Sequence, residues 1–296
     1  PVPNPFSHFF HALPKVIHEA SVLFTHFVEI VVPFGLLGPW WRITAFAGGI
    51  TILFHSLIIM SGNLAWLNFL SIVLCIPCFS DKALNKFIKL KPKGTIPLGR
   101  VHRWSVYVLG IFIIWRSYGP FMNLFAKRQA MNRSFDRFHL VNTYGAFGSI
   151  TKKRNELVVL GTMNDNPKAS AKHWKPYLFK GKPTDLNKTP GIMSPYLWKI
   201  DWQMWFAAFG TYRYSPWILN FIQKLLLADP KTLGLISKDP FEGKRPKWIK
   251  IDYYNYKMKT LSEKGMWRRT YLREWLPPLN LSHPGLNKIL KAYGWN

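Results

Sequence analysis

Leu140–Thr162 reads LVNTYGAFGSITKKRNELVVLGT, and the fold turns on how this stretch is taken. Upstream the chain is apolar; downstream it is polar, basic and rich in Trp and Tyr. β-Branched and aromatic side chains suit a pleated surface, so Leu140–Tyr144 and Glu156–Gly161 are expected as the two strands of a β-hairpin. Between them Gly145 and Gly148 allow positive φ at low cost, and Thr151–Asn155 makes a polar, exposed tip. No side chain in the stretch is an evident catalyst. It reads as the junction between a membrane part and a soluble module.

Toward the N-terminus, Pro1–Pro14 carries Phe6, Phe9 and Phe10 among prolines that prevent one regular helix, which suits an interfacial segment over residues 1–19. Residues 20–126 are expected to hold about four membrane helices. Ala20–Trp40 is the first, ending on the anchor Trp40-Trp41-Arg42; at ~1.5 Å per residue it just crosses a core of ~30 Å. His26 and Glu29 fall on one face of it at i and i+3, and an ionisable residue inside a span marks a candidate functional site. A mutually hydrogen-bonded pair that fixes helix packing is favoured over a proton relay, ligand or metal site. Ile43–Met60 and Leu64–Phe79 read as a tight hairpin broken at Ser61-Gly62-Asn63, with Gly48-Gly49 allowing close helix approach. His55, Asn63 and Asn68 are expected as interhelical hydrogen-bond partners. Residues 81–103 form a basic loop suited to anionic lipid headgroups on the cytosolic or matrix side, after which Trp104–Phe125 crosses back.

Toward the C-terminus, residues 138–296 read as a soluble antiparallel β-sheet module with packed helices, so the fold class is α+β. Trp174–Lys180 is a third strand. In Ser194–Tyr212, Trp198, Trp202, Trp205, Phe206 and Phe209 recur at helical spacing; such a face more often enters a core than binds a partner or lies on a bilayer. Asp201 on this helix wants Arg154 or another cation if buried, and the Arg154 that stands beside Glu156 is the candidate. Pro216–Ala228 and Lys231–Ser237 are further helices. In Lys247–Lys259 the alternation runs through Ile249, Ile251 and Tyr253, then through Tyr254, Tyr256 and Met258; the change of phase predicts a β-bulge at Tyr253-Tyr254. Met266–Trp275 is the expected hairpin partner.

With 40 Lys and Arg against 14 Asp and Glu, the chain carries a net charge of +26, which suits anionic lipid or acidic protein partners. Nucleic acid is set aside: the basic residues are scattered among long apolar runs, with no zinc spacing or RNA-binding signature. Cys75 and Cys78 read as two packed apolar thiols rather than a redox pair, which needs solvent access. His8, His11 and His18 do not make a metal set, and neither a G-x-S-x-G elbow nor a phosphate-binding loop is present. No enzyme activity, metal or cofactor is expected. Sequons at Asn132, Asn187 and Asn280 would be glycosylated only in a lumenal domain.

Several stretches, in order, resemble the C-terminal portion of the lipase maturation factor family. They are PVPNP at Pro1–Pro5, THFVEIVVPF at Thr25–Phe34, SGN with LNFL in Ser61–Leu70, and CFSD ending at Asp81. VNTYGAFGSITKKRNE at Val141–Glu156, with Asn142, Tyr144, Gly145, Phe147, Gly148, Arg154 and Glu156, is the strongest match. SPYLWKIDWQMWFAAF at Ser194–Phe209, DPF at Asp239–Phe241, YYNYK at Tyr253–Lys257, WRR at Trp267–Arg269, LPPL at Leu276–Leu279 and the terminal GWN complete it. The resemblance implies a non-enzymatic role in the endoplasmic reticulum membrane, helping secreted lipases reach their active fold through lumenal protein–protein contacts. PVPNP lies well inside the family pattern, so the helices that precede it there are not in this sequence, and CFSD has serine where a second acid is expected. An alternative is an accessory subunit of a large respiratory-type complex in the mitochondrial inner membrane, with the family fold kept and the lipase role lost.

Overall fold

The computed structural model describes residues 2–37, 39–64, 66–86, 99–145, 151–168 and 170–295. The chain divides into two compact units, one made of Pro1–Phe87 with Lys153–Asn296, the other of Ile88–Lys152.

The first unit opens with α1 (Ser7–Ala12) and α2 (Lys15–His26), which starts directly after Pro14. A single wide turn, Phe27–Val31, is closed by the Val32 N–H donating to the Phe27 carbonyl, and α3 (Val32–Leu36) follows. Pro33 has no N–H with which to continue the ladder, a common cause of such local widening. Lys15–Leu36 therefore runs as one 22-residue helical rod with mean hydropathy 1.4, and α4 (Trp41–Ser61) as one of 21 residues with mean hydropathy 1.9. Among the described residues these two are long and apolar enough to cross a membrane. The expected number was about four. Instead, α5 (Leu67–Leu74) has 8 residues before Pro77 turns it into a short 3-10 turn, Ile76–Cys78. At ~1.5 Å per residue it rises only ~12 Å, far short of a ~30 Å core. Its contacts are close nonetheless. A Cβ on Gly48 of α4 would stand 2.7 Å from Cys78 Cβ, whereas one on Gly49 would meet nothing within 4 Å. Cys75 and Cys78 are free thiols, with Cys75 buried. A four-residue helix, α6 (Asp81–Leu84), is capped by Ser80 Oγ accepting from the Ala83 N–H.

In the second unit, α7 (Arg100–Arg116) has 17 residues with arginines at 100, 103 and 116, too short and too charged for a spanning helix by the same test. Most of the expected basic loop 81–103 lies at 87–98, outside the described residues. After α8 (Tyr118–Asn123), β1 (Arg133–Ser134) pairs antiparallel with β2 (Asn142–Thr143). Asp136 organises the turn between them: its carboxylate accepts from the N–H groups of Phe138, Leu140 and Val141. Those bonds, that from Val141 foremost, hold the Asp136 carboxyl below its ordinary pKa.

The rest of the first unit is a four-stranded antiparallel sheet in the order β4–β3–β5–β6, made by β3 (Arg154–Thr162), β4 (Lys175–Pro176), β5 (Trp248–Met258) and β6 (Trp267–Leu279). The hairpin expected across 140–161 is thus not formed: Asn142–Thr143 pairs with β1, and β3 pairs along its full length with β5. A strand as apolar as ELVVLG needs long ladders on a buried sheet, and the 11-residue β5 supplies one. The expected strand Trp174–Lys180 shrinks to β4 and a single bridge, Leu178 to Lys238. The bulge expected at Tyr253-Tyr254 is a real register shift, because Tyr253 opposes Arg273 and Tyr254 opposes Tyr271. The extra residue, however, is Leu272 on β6; β5 keeps unbroken register against β3 from Tyr256 to Trp248. Its change of phase has another cause, namely that both faces of the sheet are covered.

On one face Leu157, Val159, Ile249 and Ile251 meet three helices, α9 (Lys199–Ala207), α10 (Trp217–Leu226) and a C-terminal helix. Between α10 and β5 a four-residue helix, α11 (Pro230–Leu233), is capped by Asp229; the C-terminal helix is α12 (Pro284–Ala292). Met204, Ile218, Ile222, Leu225, Leu286 and Leu290 complete this core, each stabilising the fold by roughly 1.5–3 kcal/mol in apolar burial. On the other face Trp174 covers Val158 and Leu160, while Met266 and Trp267 pack with Tyr256.

Candidate functional site

The second sheet face carries a buried ion group. Glu156 is 1% exposed and holds two cations: Arg154 Nη2 at 2.6 Å from Oε1, and Lys182 Nζ on Oε2. Burial alone would raise the Glu156 pKa; the charges of Lys182 and Arg154 outweigh it and leave the carboxyl below its ordinary value. The Arg154 guanidinium lies 5.2 Å from the centre of the Trp267 ring. Beside it, burial pushes the Tyr256 hydroxyl up to about 12 although Arg269 Nη1 donates to it at 3.3 Å. A carboxylate held by two cations below its ordinary pKa is a poor general acid, so this group locks strand to loop rather than moving protons.

Asp201 does not reach Arg154. Its Oδ1 accepts from the backbone N–H groups of Gly181 at 2.7 Å and Lys182 at 2.8 Å. Burial raises its pKa against those bonds, and among the described residues Oδ2 has no hydrogen-bond partner. The two acids therefore converge on one residue, Lys182, through its side chain and its backbone. Sequence reading missed Lys182 because nothing in FKGKPTD separates it from 39 other basic residues.

A second cluster is built on asparagines. Asn63, fully buried in the turn after α4, donates through Nδ2 to the carbonyls of Pro3 at 2.9 Å and Gly191 at 2.8 Å. Its Oδ1 accepts from the N–H groups of Met193 at 2.8 Å and Ser194 at 3.2 Å. Ser194 Oγ in turn donates to the Leu64 carbonyl. Asn4 completes the arrangement: its Nδ2 donates to the carbonyls of Ile59 and Met60, satisfying end groups of α4 that have no partner within the helix. PVPNP, SGN and the start of SPYLW, far apart in sequence, meet here. Asn63 was expected to bridge helices; it instead ties the membrane hairpin to the N-terminal segment and to the loop before α9. The expected partners His55 and Asn68 do lie together, Nδ1 to Oδ1 at 3.0 Å, joining α4 to α5.

His26 ends α2, and Glu29 sits in the wide turn that follows. Both are exposed on the rod, and no hydrogen bond joins them or links either to another described residue. The packed mutual pair expected of them does not form among the described residues: both side chains lie exposed on the rod, where no burial demands a hydrogen-bond partner. Of the family-marking residues, Asn142, Tyr144 and Gly145 belong to the Ile88–Lys152 unit. Asn142 Nδ2 donates to the His139 carbonyl, the Gly145 N–H donates to Asn132 Oδ1, and Tyr144 is exposed. Phe147 and Gly148 lie outside the described residues.

The aromatic helix α9 divides its labour. Toward the sheet it presents Met204, Ala207 and Ala208, whose small or flexible side chains permit close packing. The rings form a separate outer cluster rather than the core face expected of them. Trp205 is buried beneath Trp202, Phe206 and Phe209, with centroids 5.3, 5.1 and 5.0 Å away. Phe206 is 44% exposed, Phe209 58% and Trp198 47%, and Lys180 Nζ sits 4.4 Å over the Trp198 ring. The result is a rigid aromatic ridge open on one side. Among the described residues no three His, Cys, Asp or Glu side chains gather as a metal set.

Two family models match the chain: the lipase maturation factor transmembrane domain over residues 1–86 and the lipase maturation factor C-terminal domain over residues 140–277. Human lipase maturation factor 1 is 37% identical over 320 residues, covering 100% of this chain and 56% of that protein. The bovine protein of the same name is 39% identical over 306 residues, covering 95% of this chain and 54% of its own length. Lipase maturation factor 2 of Xenopus tropicalis is 24% identical over 406 residues, covering 99% and 57%. The chain thus spans a little over half the length of these relatives. No solved structure matches.

Proposed function

The chain belongs to the lipase maturation factor family, and we propose that it acts without chemistry of its own, as a membrane-held surface on which a secreted lipase is brought to its active fold. The observation that carries this reading is the aromatic ridge, with Trp198, Phe206 and Phe209 exposed and Trp202 half-buried, on a backing of buried Trp205 and Met204. Large rings on a rigid helix gain contact area at low entropic cost, and such anchors dominate protein–protein recognition. The names of the matched relatives supply the client class. The membrane in question is then the endoplasmic reticulum, with the module on its lumenal side.

Co-expression with a secreted lipase tests it. The double variant Phe206→Ala/Phe209→Ala is expected to lower secreted lipase activity about tenfold, as the loss of one modest anchor implies. The level of the variant protein itself stays unchanged. Unchanged lipase activity removes the ridge from the mechanism, and loss of the variant from membranes assigns the ridge to the bilayer surface instead. Endoglycosidase-sensitive glycan on Asn187 or Asn280 would establish the lumenal side.

The net charge of +26 favours one second reading, an accessory subunit set among acidic partners in a mitochondrial inner-membrane complex. Stoichiometric co-purification with respiratory-chain subunits would establish it and sink the lipase role.

A further inference from the structure

Between the membrane hairpin and the sheet lies a cavity of about 660 Å3, within the range of ~300–1,000 Å3 that small ligands occupy. Its walls differ from end to end. Phe24 of α2 and Phe54 of α4 stand on its lining, their rings meeting edge to face at 6.0 Å. Leu57 and Ile58 continue this apolar wall along the last turns of α4. At the other end stand Arg154, which opens β3, and Met258, which closes β5, with His11 and His18 also on the lining. The side chains of His11 and His18 make no hydrogen bond among the described residues. Among the described residues no Asp or Glu lines the cavity, and the adjacent ion group of Glu156 with Arg154 and Lys182 carries one net positive charge.

We propose that this cavity holds one membrane lipid with a phosphate-bearing anionic headgroup. One acyl chain lies along Phe24, Phe54 and Leu57, and the headgroup rests at Arg154, His11 and His18. The orientation follows from the fold. The N-terminal end of α2 and the C-terminal end of α4 lie on the module's side, so the apolar end points into the bilayer and the cationic end sits at headgroup depth. Arginine suits this place because its guanidinium recognises phosphate while its stem stays in apolar surroundings. The bound lipid would bridge hairpin and module, adding to the bonds that Asn63 makes with the 191–194 loop. The inference is independent of any lipase client.

Native mass spectrometry of the full chain in detergent, titrated with phosphatidylglycerol or phosphatidylcholine of the same acyl chains, tests it. One phosphatidylglycerol per chain is expected, retained about tenfold more tightly than phosphatidylcholine. Ser21→Trp, which puts an indole on the cavity wall, should abolish retention. His11→Ala/His18→Ala, at exposed positions that leave the fold alone, should cut the preference for the anionic lipid. Equal retention of the two lipids, retention by Ser21→Trp, an unchanged preference in the histidine variant, or displacement of the lipid by inorganic phosphate would each overturn the proposal.

Discussion

Glu156 is the side chain with most at stake. Its two oxygens hold Arg154 and Lys182, and the Lys182 side chain is 2% exposed, so the lysine cannot turn to water without opening the fold. Breaking a buried pair costs far more than removing it whole, because the survivor keeps its charge in a dry place. Glu156→Gln should therefore lower stability by about 3–5 kcal/mol, and adding Lys182→Met to it should restore a large part. Thermal unfolding in detergent measures both, and equal melting of wild type and the single variant would contradict the account. The pH dependence follows from the same pair. With its folded pKa below the unfolded one, Glu156 contributes stability in full above the ordinary carboxylate value and loses it as pH falls through the lower folded value. Asp201 runs the other way: its raised pKa favours the protonated form, so its contribution is present below the ordinary value and is lost as pH rises through the folded one. An acid melt should flatten in Glu156→Gln and steepen in Asp201→Asn. The pairing expected of Asp201 with Arg154 was reasonable in charge and wrong in place. Charge complementarity says what a buried acid needs, while the choice between a side chain and two backbone N–H groups depends on where the 181–182 loop passes.

Among the elements, α4 shows how neighbouring glycines differ. A Cβ on Gly48 would meet Cys78 Cβ at 2.7 Å, and one on Gly49 would face open space. Gly49→Ala should be neutral or stabilising by up to about 1 kcal/mol from helix propensity, whereas Gly48→Ala should destabilise by about 1–3 kcal/mol through overpacking. The two melting temperatures, read side by side, decide it; movement in the same direction would refute the packing. The turn after α4 makes a stronger prediction. Asn63→Ala leaves the carbonyls of Pro3 and Gly191 and the N–H groups of Met193 and Ser194 without this partner, at about 1–3 kcal/mol for each group left buried and unpaired. The loop before α9 should then open first, and trypsin should cut faster after exposed Lys188, with Ser194→Ala intermediate. An unchanged digestion pattern would mean that the asparagine does not secure the loop. β5 teaches the complementary lesson. Its change of phase at Tyr253-Tyr254 was legible in the residues, but a strand apolar on both faces and a strand with an extra residue produce the same pattern.

At the scale of the whole molecule, the first unit joins the membrane hairpin to the sheet module through Asn63 and the 191–194 loop, while Asn4 fastens the N-terminal segment to the end of α4. A client bound at the ridge would thus be held at a set place relative to the hairpin. Replacing Asn63 should lower lipase maturation in proportion to the protein lost, while Phe206→Ala/Phe209→Ala should lower it with protein retained. Lipase activity per molecule of factor separates the two, and a ridge variant that acts only through its own abundance would return the rings to a packing role.

Composition, hydropathy and ordered motifs by themselves determined the family, the membrane character, the α+β class, and the presence of β3, β5, β6 and the aromatic helix. Each is a local property, carried by periodicity or by short residue strings. Tertiary structure alone decided which strands pair, which cation meets Glu156, what Asn63 binds and which rings stay in solvent. Those outcomes depend on contacts between residues far apart in sequence. A polar side chain shows that it needs a partner; only the path of the rest of the chain shows which one it gets.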